Sequence, residues 1–203
     1  MYTLYSMSGS CSSAIHALLL DQNLPVEIIF HQDVENYLDI NPTGQVPALK
    51  TPDGVLTEGA AICLYLIEKH NIALQCDPLE FNGLLMFNYA TLHPAYSKMF
   101  TAHFAMPSSS EKDELMNLLA SKTADLWKIV DKRLAKQDFL LGKHVSVLDY
   151  LVTIYASWGS VFPYVHIPLG KNVRRLVEHV SSSSTFKTVI KNENMAFAIP
   201  EAV

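Results

Sequence analysis

The sequence is poor in charged residues and in basic clusters. Only 17% of its 203 residues are charged, and 15 lysines and arginines stand against 20 aspartates and glutamates, for a formal net charge of -5. No dense basic run is present, which argues against a protein that binds DNA mainly through its phosphates. Because 49% of the residues are hydrophobic, the chain can bury enough apolar surface to offset its conformational entropy, and disorder is excluded as its main state.

Long apolar runs and paired cysteines are also lacking. No run reaches the roughly 18 uncharged apolar residues that span a bilayer, and no basic start precedes an apolar segment at the N-terminus, so we expect a soluble, cytoplasmic protein. Cys11, Cys63 and Cys76 are an odd number, which fits a reducing compartment. Neither the cysteines nor the eight histidines have the spacing of metal ligands, so no metal site is predicted.

The first third of the chain predicts alternating strands and helices. Strands are predicted over 2–6, 26–30, 47–51 and 55–57, and helices from the Ser8–Ser10 cluster to about Gln22 and over 59–70. Asp53-Gly54 is a strong hairpin dipeptide, so the last two strands should be antiparallel. The predicted order is β-α-β followed by β-β-α.

Beyond Asn71 the sequence predicts only helices. Asp77-Pro78 interrupts any continuing helix, because proline disfavours helical geometry in the residue before it. Later helices are predicted over about 81–104, from 108–110 onward, from a capping-box variant at 146–149, and over about 171–180 and 185–192. We therefore predict an α/β domain over 1–72, a linker over 73–80 and an all-helical domain over 81–203, with a cleft at the join.

Two neighbouring motifs suggest recognition of a small peptide. A cis bond between Val46 and Pro47 would turn the Val46 backbone outward, where it can pair with a peptide-like ligand. Glu58 and Gly59 stand where a strand ends and a helix begins, so the amides can hold a carboxylate and Glu58 an ammonium group. The plainer interpretations stay open: an ordinary turn before an edge strand, and a glutamate that stabilises the first helical turn.

Cys11 and His93 are the candidate reactive side chains. Cys11 stands at the predicted start of the first helix, where a thiol pKa is lowered, and a half-buried small residue is the alternative. His93 lies on the helix predicted to face the first domain and could hold or deprotonate a thiol, although a lone histidine is more often structural.

Taken together, these motifs resemble the cytosolic glutathione transferases over essentially the whole chain. The resemblance rests on Gly9-Ser10-Cys11-Ser12, on Asn41–Leu49, on Thr57–Ile62 and on Leu92-His93, and it is greatest for the bacterial beta class. It implies a thioredoxin-like N-terminal domain followed by an all-α helical bundle, and a homodimer that uses glutathione as co-substrate without a cofactor.

The resemblance also implies roles for individual residues. Those for binding glutathione are Gln45, Val46, Pro47, Glu58 and Gly59, and those near its sulfur are Cys11 and His93, with Tyr5, Ser10 and Ser12 as rival hydrogen-bond donors. The lysine that often meets the glycyl carboxylate is absent from the short segment 31–40, so Gln32, His31 or the backbone would replace it. A hydrophobic co-substrate would bind against Tyr96, Phe100, Trp158 and Phe162.

Three functions follow from this resemblance. The first is conjugation of glutathione to small hydrophobic electrophiles, as in stress response and detoxification. The second is glutathione-dependent thiol-disulfide exchange through Cys11. The third is a non-catalytic binding or regulatory protein on the same fold.

Overall fold

A computed structural model describes residues 1–74 and 76–200. Gln75, in the predicted linker, and residues 201–203, at the end of the predicted helical domain, lie outside the described residues. The strands of the described chain are β1 (Tyr2–Ser6), β2 (Val26–Phe30), β3 (Ala48–Thr51) and β4 (Gly54–Thr57). Its α-helices are α1 (Ser12–Asp21), α2 (Gly59–Lys69), α3 (Pro78–Phe87), α4 (His93–Ala105), α5 (Ser110–Leu134), α6 (Val147–Trp158), α7 (Lys171–Ser182) and α8 (Ser184–Asn192).

The four strands form one mixed sheet in the order β2-β1-β3-β4. β1 pairs in parallel with β2, because α1 provides the long crossover that a parallel pair requires. β1 and β3 are antiparallel, and β3 and β4 form the hairpin that Asp53-Gly54 predicts, with Thr51 opposite Gly54. The predicted order of strands and helices is therefore confirmed.

The helical part begins earlier than the sequence pattern predicts. Pro78 is the first residue of α3, where its missing amide hydrogen costs no helical bond, and the Asp77 side chain accepts a hydrogen bond from the Leu79 amide at 2.8 Å. The helix predicted over 81–104 is divided by a π turn, Asn88–Leu92, between α3 and α4. This turn brings α4 to the join between the two parts of the chain.

α6 is the central helix of the molecule. Every one of its residues except Ser157 is buried, and it packs against α1 of the α/β part as well as against α7. The predicted capping box at its start is confirmed, because Ser146 and Asp149 exchange hydrogen bonds there. None of the helices within residues 1–74 and 76–200 has both the length and the apolar character needed to cross a membrane.

Replacing Asp149 should destabilise the protein. Asp149 accepts hydrogen bonds from the Ser146 and Leu140 amides, each at 2.8 Å, and from the Ser146 hydroxyl at 2.6 Å. Because Asp149→Ala leaves these donors without their acceptor, we expect the free energy of unfolding in urea to fall by about 3 kcal/mol. Asp125→Ala, the matched control, removes an exposed carboxylate bonded to Lys128 and should cost less than about 0.5 kcal/mol. Equal losses would contradict the role of the capping box.

Candidate functional site

A cleft opens where the α/β part meets α4 and α6. Its main cavity, of about 670 Å³, is lined on the α/β side by Met7–Cys11, His31 and Gly44–Val46. The helical side is formed by His93, Ser97, Phe100, Thr101, Phe104, Ser157, Trp158 and Val161, and by Ala196 from the chain beyond α8. A side cavity of about 190 Å³ shares Cys11, Gln45, Val46 and His93 and extends to Pro47, Glu58–Ala60 and Tyr89. Eight of the residues proposed from the sequence therefore meet in one cleft: Ser10, Cys11, Gln45, Val46, Pro47, Glu58, Gly59 and His93.

The structure does not bring Tyr5 to this cleft. Successive side chains of a strand point to opposite faces, so Leu4 enters the main core while Tyr5 packs with Tyr37 and Ala48 in a separate cluster. The ring centres of Tyr5 and Tyr37 are 5.9 Å apart. Tyr5 lines neither cavity, so the prediction that it donates a hydrogen bond in the cleft is wrong.

Gln32 is also placed outside the cleft. It lies in a short 3-10 turn, His31–Asp33, that exposes Gln32 and directs its neighbour His31 to the main cavity. The His31 ring is held by a 3.3 Å contact from Nδ1 to the Ser6 carbonyl and by an edge-on contact with Tyr37. Of the two side chains proposed to replace the missing lysine, His31 lines the main cavity and Gln32 does not.

Two of the four predicted co-substrate aromatics line the cavity. Phe100 and Trp158 do so, whereas Tyr96 and Phe162 are completely buried in the core, and Trp127 Nε1 donates to the Tyr96 hydroxyl at 2.9 Å. Phe104, which the sequence analysis missed, completes the wall and stacks parallel to Phe100.

Helical spacing could have identified the whole α4 wall. The cavity-lining residues of α4 are His93, Ser97, Phe100, Thr101 and Phe104. They recur at intervals of three or four residues, which places them on one face of the helix. The sequence pattern alone does not say which face of α4 turns to the cleft. The prediction for α4 therefore includes His93 and Phe100, which line the cavity, but also Tyr96, which is buried in the core.

A chain of serine hydroxyls supports the turn that carries Cys11. Ser12 Oγ lies 2.6 Å from Ser6 Oγ and 2.5 Å from Ser10 Oγ, and it also accepts a 3.3 Å bond from the Met7 amide. Gly9 has φ of +72°, a left-handed conformation that favours glycine. Ser12 is completely buried within this network, whereas Ser10 lines the main cavity. Of the two serines, only Ser10 is therefore placed to meet a ligand.

Burial, and not the helix terminus, controls the Cys11 thiol. Cys11 caps α1, but only 4% of its surface is exposed, and Sγ lies 3.9 Å from the Val46 carbonyl. Removal from water raises the pKa of Cys11 to about 12, the negative charge of Glu58 adds to the rise, and the backbone amides of Cys11 and Ser12 only partly oppose it. The prediction of a lowered pKa is therefore wrong.

His93 provides an uncharged imidazole between the two cavities. It is the first residue of α4, and its ring meets those of Trp158 and Tyr155 edge-on at 5.2 and 5.6 Å. Partial burial lowers the pKa of His93 below its usual value, because the positive form loses hydration. His93 is therefore neutral at pH 7 and can accept a hydrogen bond or a proton.

The side cavity combines the backbone around a cis proline with a helix terminus. The Val46-Pro47 bond is cis, and Asn41 Nδ2 and the Tyr37 hydroxyl hold the preceding Gln45 carbonyl at 2.7 and 2.8 Å. Glu58 is exposed, with φ of +69°, and Gly59 begins α2. Within residues 1–74 and 76–200, no cluster of three or more side chains suited to a metal ion is found.

Comparison with known proteins identifies the family. Residues 1–68 match the family model of the glutathione S-transferase N-terminal domain. Glutathione S-transferase stcT of Emericella nidulans is 30% identical over 151 residues, which cover 70% of this chain and 67% of that protein. The chain therefore belongs to the glutathione S-transferase family, a family of transferases, as its motifs predict.

Solved bacterial structures share the fold. A sphingomonad glutathione S-transferase in complex with glutathione superposes with a TM-score of 0.77 at 22% identity, covering 96% of this chain and all of the other. The beta class glutathione S-transferase of Sphingomonas chungbukensis does so with a TM-score of 0.75 at 23% identity and the same coverage. At these identities the likeness concerns the fold, and it confirms the predicted thioredoxin-like unit followed by helices.

Cys11 should react slowly with alkylating agents. With a thiol pKa near 12, the thiolate is about one part in ten thousand at pH 8, so we expect iodoacetamide to modify Cys11 about a thousandfold more slowly than an unperturbed cysteine. Mass spectrometry of digests can follow Cys11 separately, with a free cysteine peptide as the reference. Modification of Cys11 at pH 8 as fast as that of the reference peptide would contradict the effect of burial.

A side chain at position 59 should be poorly tolerated. A Cβ atom added to Gly59 would overlap Cε1, Cζ and the hydroxyl oxygen of Tyr89. We expect Gly59→Ala to lower the free energy of unfolding by about 2 kcal/mol through overpacking. Gly83→Ala in α3 is the control, because nothing lies within 4 Å of its Cβ position, and it should stabilise by up to about 1 kcal/mol. Similar changes in the free energy of unfolding for both variants would show that the Tyr89 ring moves aside, and would contradict this prediction.

Proposed function

We propose that the protein conjugates the thiol of glutathione to small hydrophobic electrophiles. One observation carries the proposal: a side cavity that suits a peptide shares Cys11, Gln45, Val46 and His93 with a more apolar main cavity, and Ser10 lines the main cavity next to Cys11. A reaction between a tripeptide thiol and an apolar electrophile requires this juxtaposition.

The side cavity suits the peptide part of glutathione. The described residues contain no acceptor for the Val46 amide, so this donor is available, beside the Val46 carbonyl, for a ligand's cysteinyl backbone. At the other end the first amides of α2 attract a carboxylate, while Glu58 can accept a hydrogen bond from an ammonium group. The γ-glutamyl group carries both charges on one carbon. The glycyl carboxylate, at the opposite end of glutathione, would then be directed toward His31.

The thiol end requires donors that favour the sulfur anion. The Ser10 hydroxyl can donate to it while accepting from the Ser12 amide at 3.2 Å. Cys11 remains protonated at neutral pH, so its S–H is a weak donor there and a poor nucleophile. Neutral His93 can accept the proton that the glutathione thiol releases.

The alternatives receive less support from the same site. Thiol-disulfide exchange needs an accessible thiolate, and Cys11 is buried with a raised pKa. A purely binding role would leave the apolar wall of Phe100, Phe104 and Trp158 without a use. We therefore favour the transferase.

The remaining parts of the proposal concern the whole protein. We retain the division into a glutathione-binding domain over 1–72, a linker and a helical domain that carries the electrophile site, and we move the start of the helical domain from residue 81 to Pro78, where α3 begins. We also propose a cytoplasmic homodimer that acts in detoxification, without a cofactor beyond the co-substrate.

Calorimetric titration with reduced glutathione tests the binding step. We expect micromolar to low-millimolar affinity, about -8 to -4 kcal/mol, followed by conjugation of an activated aryl chloride. Because Cys11 acts as a donor and not as a nucleophile, Cys11→Ala should retain conjugation within about tenfold. Cys76→Ala removes a cysteine that lines neither cavity and should change nothing. Absence of binding heat at several temperatures would refute the proposal, and abolition of activity in Cys11→Ala alone would favour exchange.

A further inference from the structure

Tyr89, which lines the side cavity, carries a buried hydroxyl group. It is the second residue of the π turn Asn88–Leu92, and it shares the cavity lining with Glu58 and Gly59. Among the residues that the structure describes, none forms a hydrogen bond with the Tyr89 hydroxyl oxygen. The Cys63 thiol is near enough to affect the Tyr89 pKa, but no hydrogen bond of normal geometry joins the two groups.

This hydroxyl lies at the first residue of α2. Gly59 begins α2, and the place of a Gly59 side chain is taken by Cε1, Cζ and the hydroxyl oxygen of Tyr89. The Glu58 side chain does not cap the helix, so the first amides of α2 are not occupied by it. The π turn therefore brings a hydroxyl from the helical part of the chain to the helix terminus that borders the side cavity.

The Tyr89 hydroxyl is a donor at neutral pH. Burial, together with the nearby Cys63, Tyr155 and Cys11, raises the pKa of Tyr89 well above its usual value, so the group keeps its proton. A neutral phenol forms its strongest hydrogen bonds as a donor to an anion. The first amides of α2 attract an anion to the same end of the cavity.

We propose that the Tyr89 hydroxyl donates a hydrogen bond to the α-carboxylate of the γ-glutamyl group, and that Tyr89 thereby selects peptides that carry this carboxylate over peptides that lack it. The inference deepens the proposed function and rests on it, because it assigns a further specificity residue to the same glutathione site.

Packing alone does not account for the hydroxyl. A buried polar group without a partner costs free energy, because it gives up its hydrogen bonds with water. Phenylalanine would fill the same space beside Gly59 without that cost. The buried Tyr96 hydroxyl is satisfied within the core, since it accepts a 2.9 Å bond from Trp127 Nε1. The Tyr89 hydroxyl borders a cavity instead, where a ligand can supply the partner.

A pair of variants tests this contact. Tyr89→Phe removes the hydroxyl oxygen and keeps the ring beside Gly59. Tyr65→Phe is the matched control, because the Tyr65 hydroxyl is also buried without a hydrogen bond of normal geometry among the described residues, but Tyr65 lines neither cavity.

A pair of ligands isolates the carboxylate. One is S-hexylglutathione, and the other is the same conjugate with a γ-aminobutanoyl group in place of γ-glutamyl, which lacks only the α-carboxylate. The hexyl chain suits the apolar wall of Phe100, Phe104 and Trp158, so it adds affinity that both ligands share and keeps the Kd of the weaker one measurable by calorimetry.

We expect Tyr89→Phe to raise the Kd of S-hexylglutathione by about tenfold and that of the γ-aminobutanoyl conjugate by less than about twofold. Tyr65→Phe should leave both Kd values within about twofold of those of the unmodified protein. Equal changes of the two Kd values in Tyr89→Phe would show that the ring packing is altered, and would overturn the proposal.

The melting temperature of the unliganded protein separates binding from structure. Because Tyr89→Phe removes a buried polar group without a partner, its melting temperature should equal or exceed that of the unmodified protein. A decrease of about 4 °C or more would show that the hydroxyl stabilises the fold, and would overturn the proposal.

The same titrations distinguish failure of this inference from failure of the proposed function. If the unmodified protein binds neither conjugate, the proposed function fails and the inference fails with it. If S-hexylglutathione binds the unmodified protein and Tyr89→Phe equally well, the inference alone is refuted.

Discussion

The packing of α6 against α1 is the interaction on which the two halves of the molecule depend. α6 is buried on almost every side, so its position determines the surfaces around it. Near its start the Tyr150 hydroxyl donates to Asp21 at the end of α1, and at its end Trp158 holds the Gly9 carbonyl. One rigid helix therefore aligns the turn before α1 with the apolar wall of the cleft, and the Ser146–Asp149 cap fixes where that helix begins.

Desolvation decides the chemistry of the cleft more than helix dipoles do. A helix terminus stabilises a nearby anion by up to about 2 kcal/mol. Burial away from water can shift the pKa of an acid by several units, and each unit corresponds to about 1.4 kcal/mol, so burial is the larger effect. Cys11 shows the outcome, because its pKa rises despite its place at the start of α1. The same effect keeps His93 uncharged. Cys11 and His93 thus provide a neutral donor and a neutral acceptor where the two cavities share their lining.

Much of the fold follows from local signals in the sequence. Asp53-Gly54 and Ser146–Asp149 are read directly, because each acts through its own turn or cap. Asp77-Pro78 correctly marks a break, but the pattern does not predict that Pro78 itself begins α3. The motifs around Val46, Glu58 and Cys11 also identify one wall of the cleft. Long-range contacts are different: the burial of Cys11 and the separate cluster of Tyr5 depend on how distant segments pack. No short pattern records them, and this is why the predicted thiol pKa had the wrong sign.

The π turn at Asn88–Leu92 sets the rotational phase of α4 relative to α3. Successive residues of an α-helix are separated by about 100° around the helix axis. The wider π turn therefore changes which residues of α4 face the cleft. It contributes Tyr89 to the side cavity, and the helix that follows presents His93, Phe100 and Phe104 to the main one. An insertion or deletion of one residue here would replace this entire lining with a different face of α4, while leaving α3 and the sheet as they are. The composition of the apolar wall of the main cavity is thus adjustable by the length of this turn as well as by substitution.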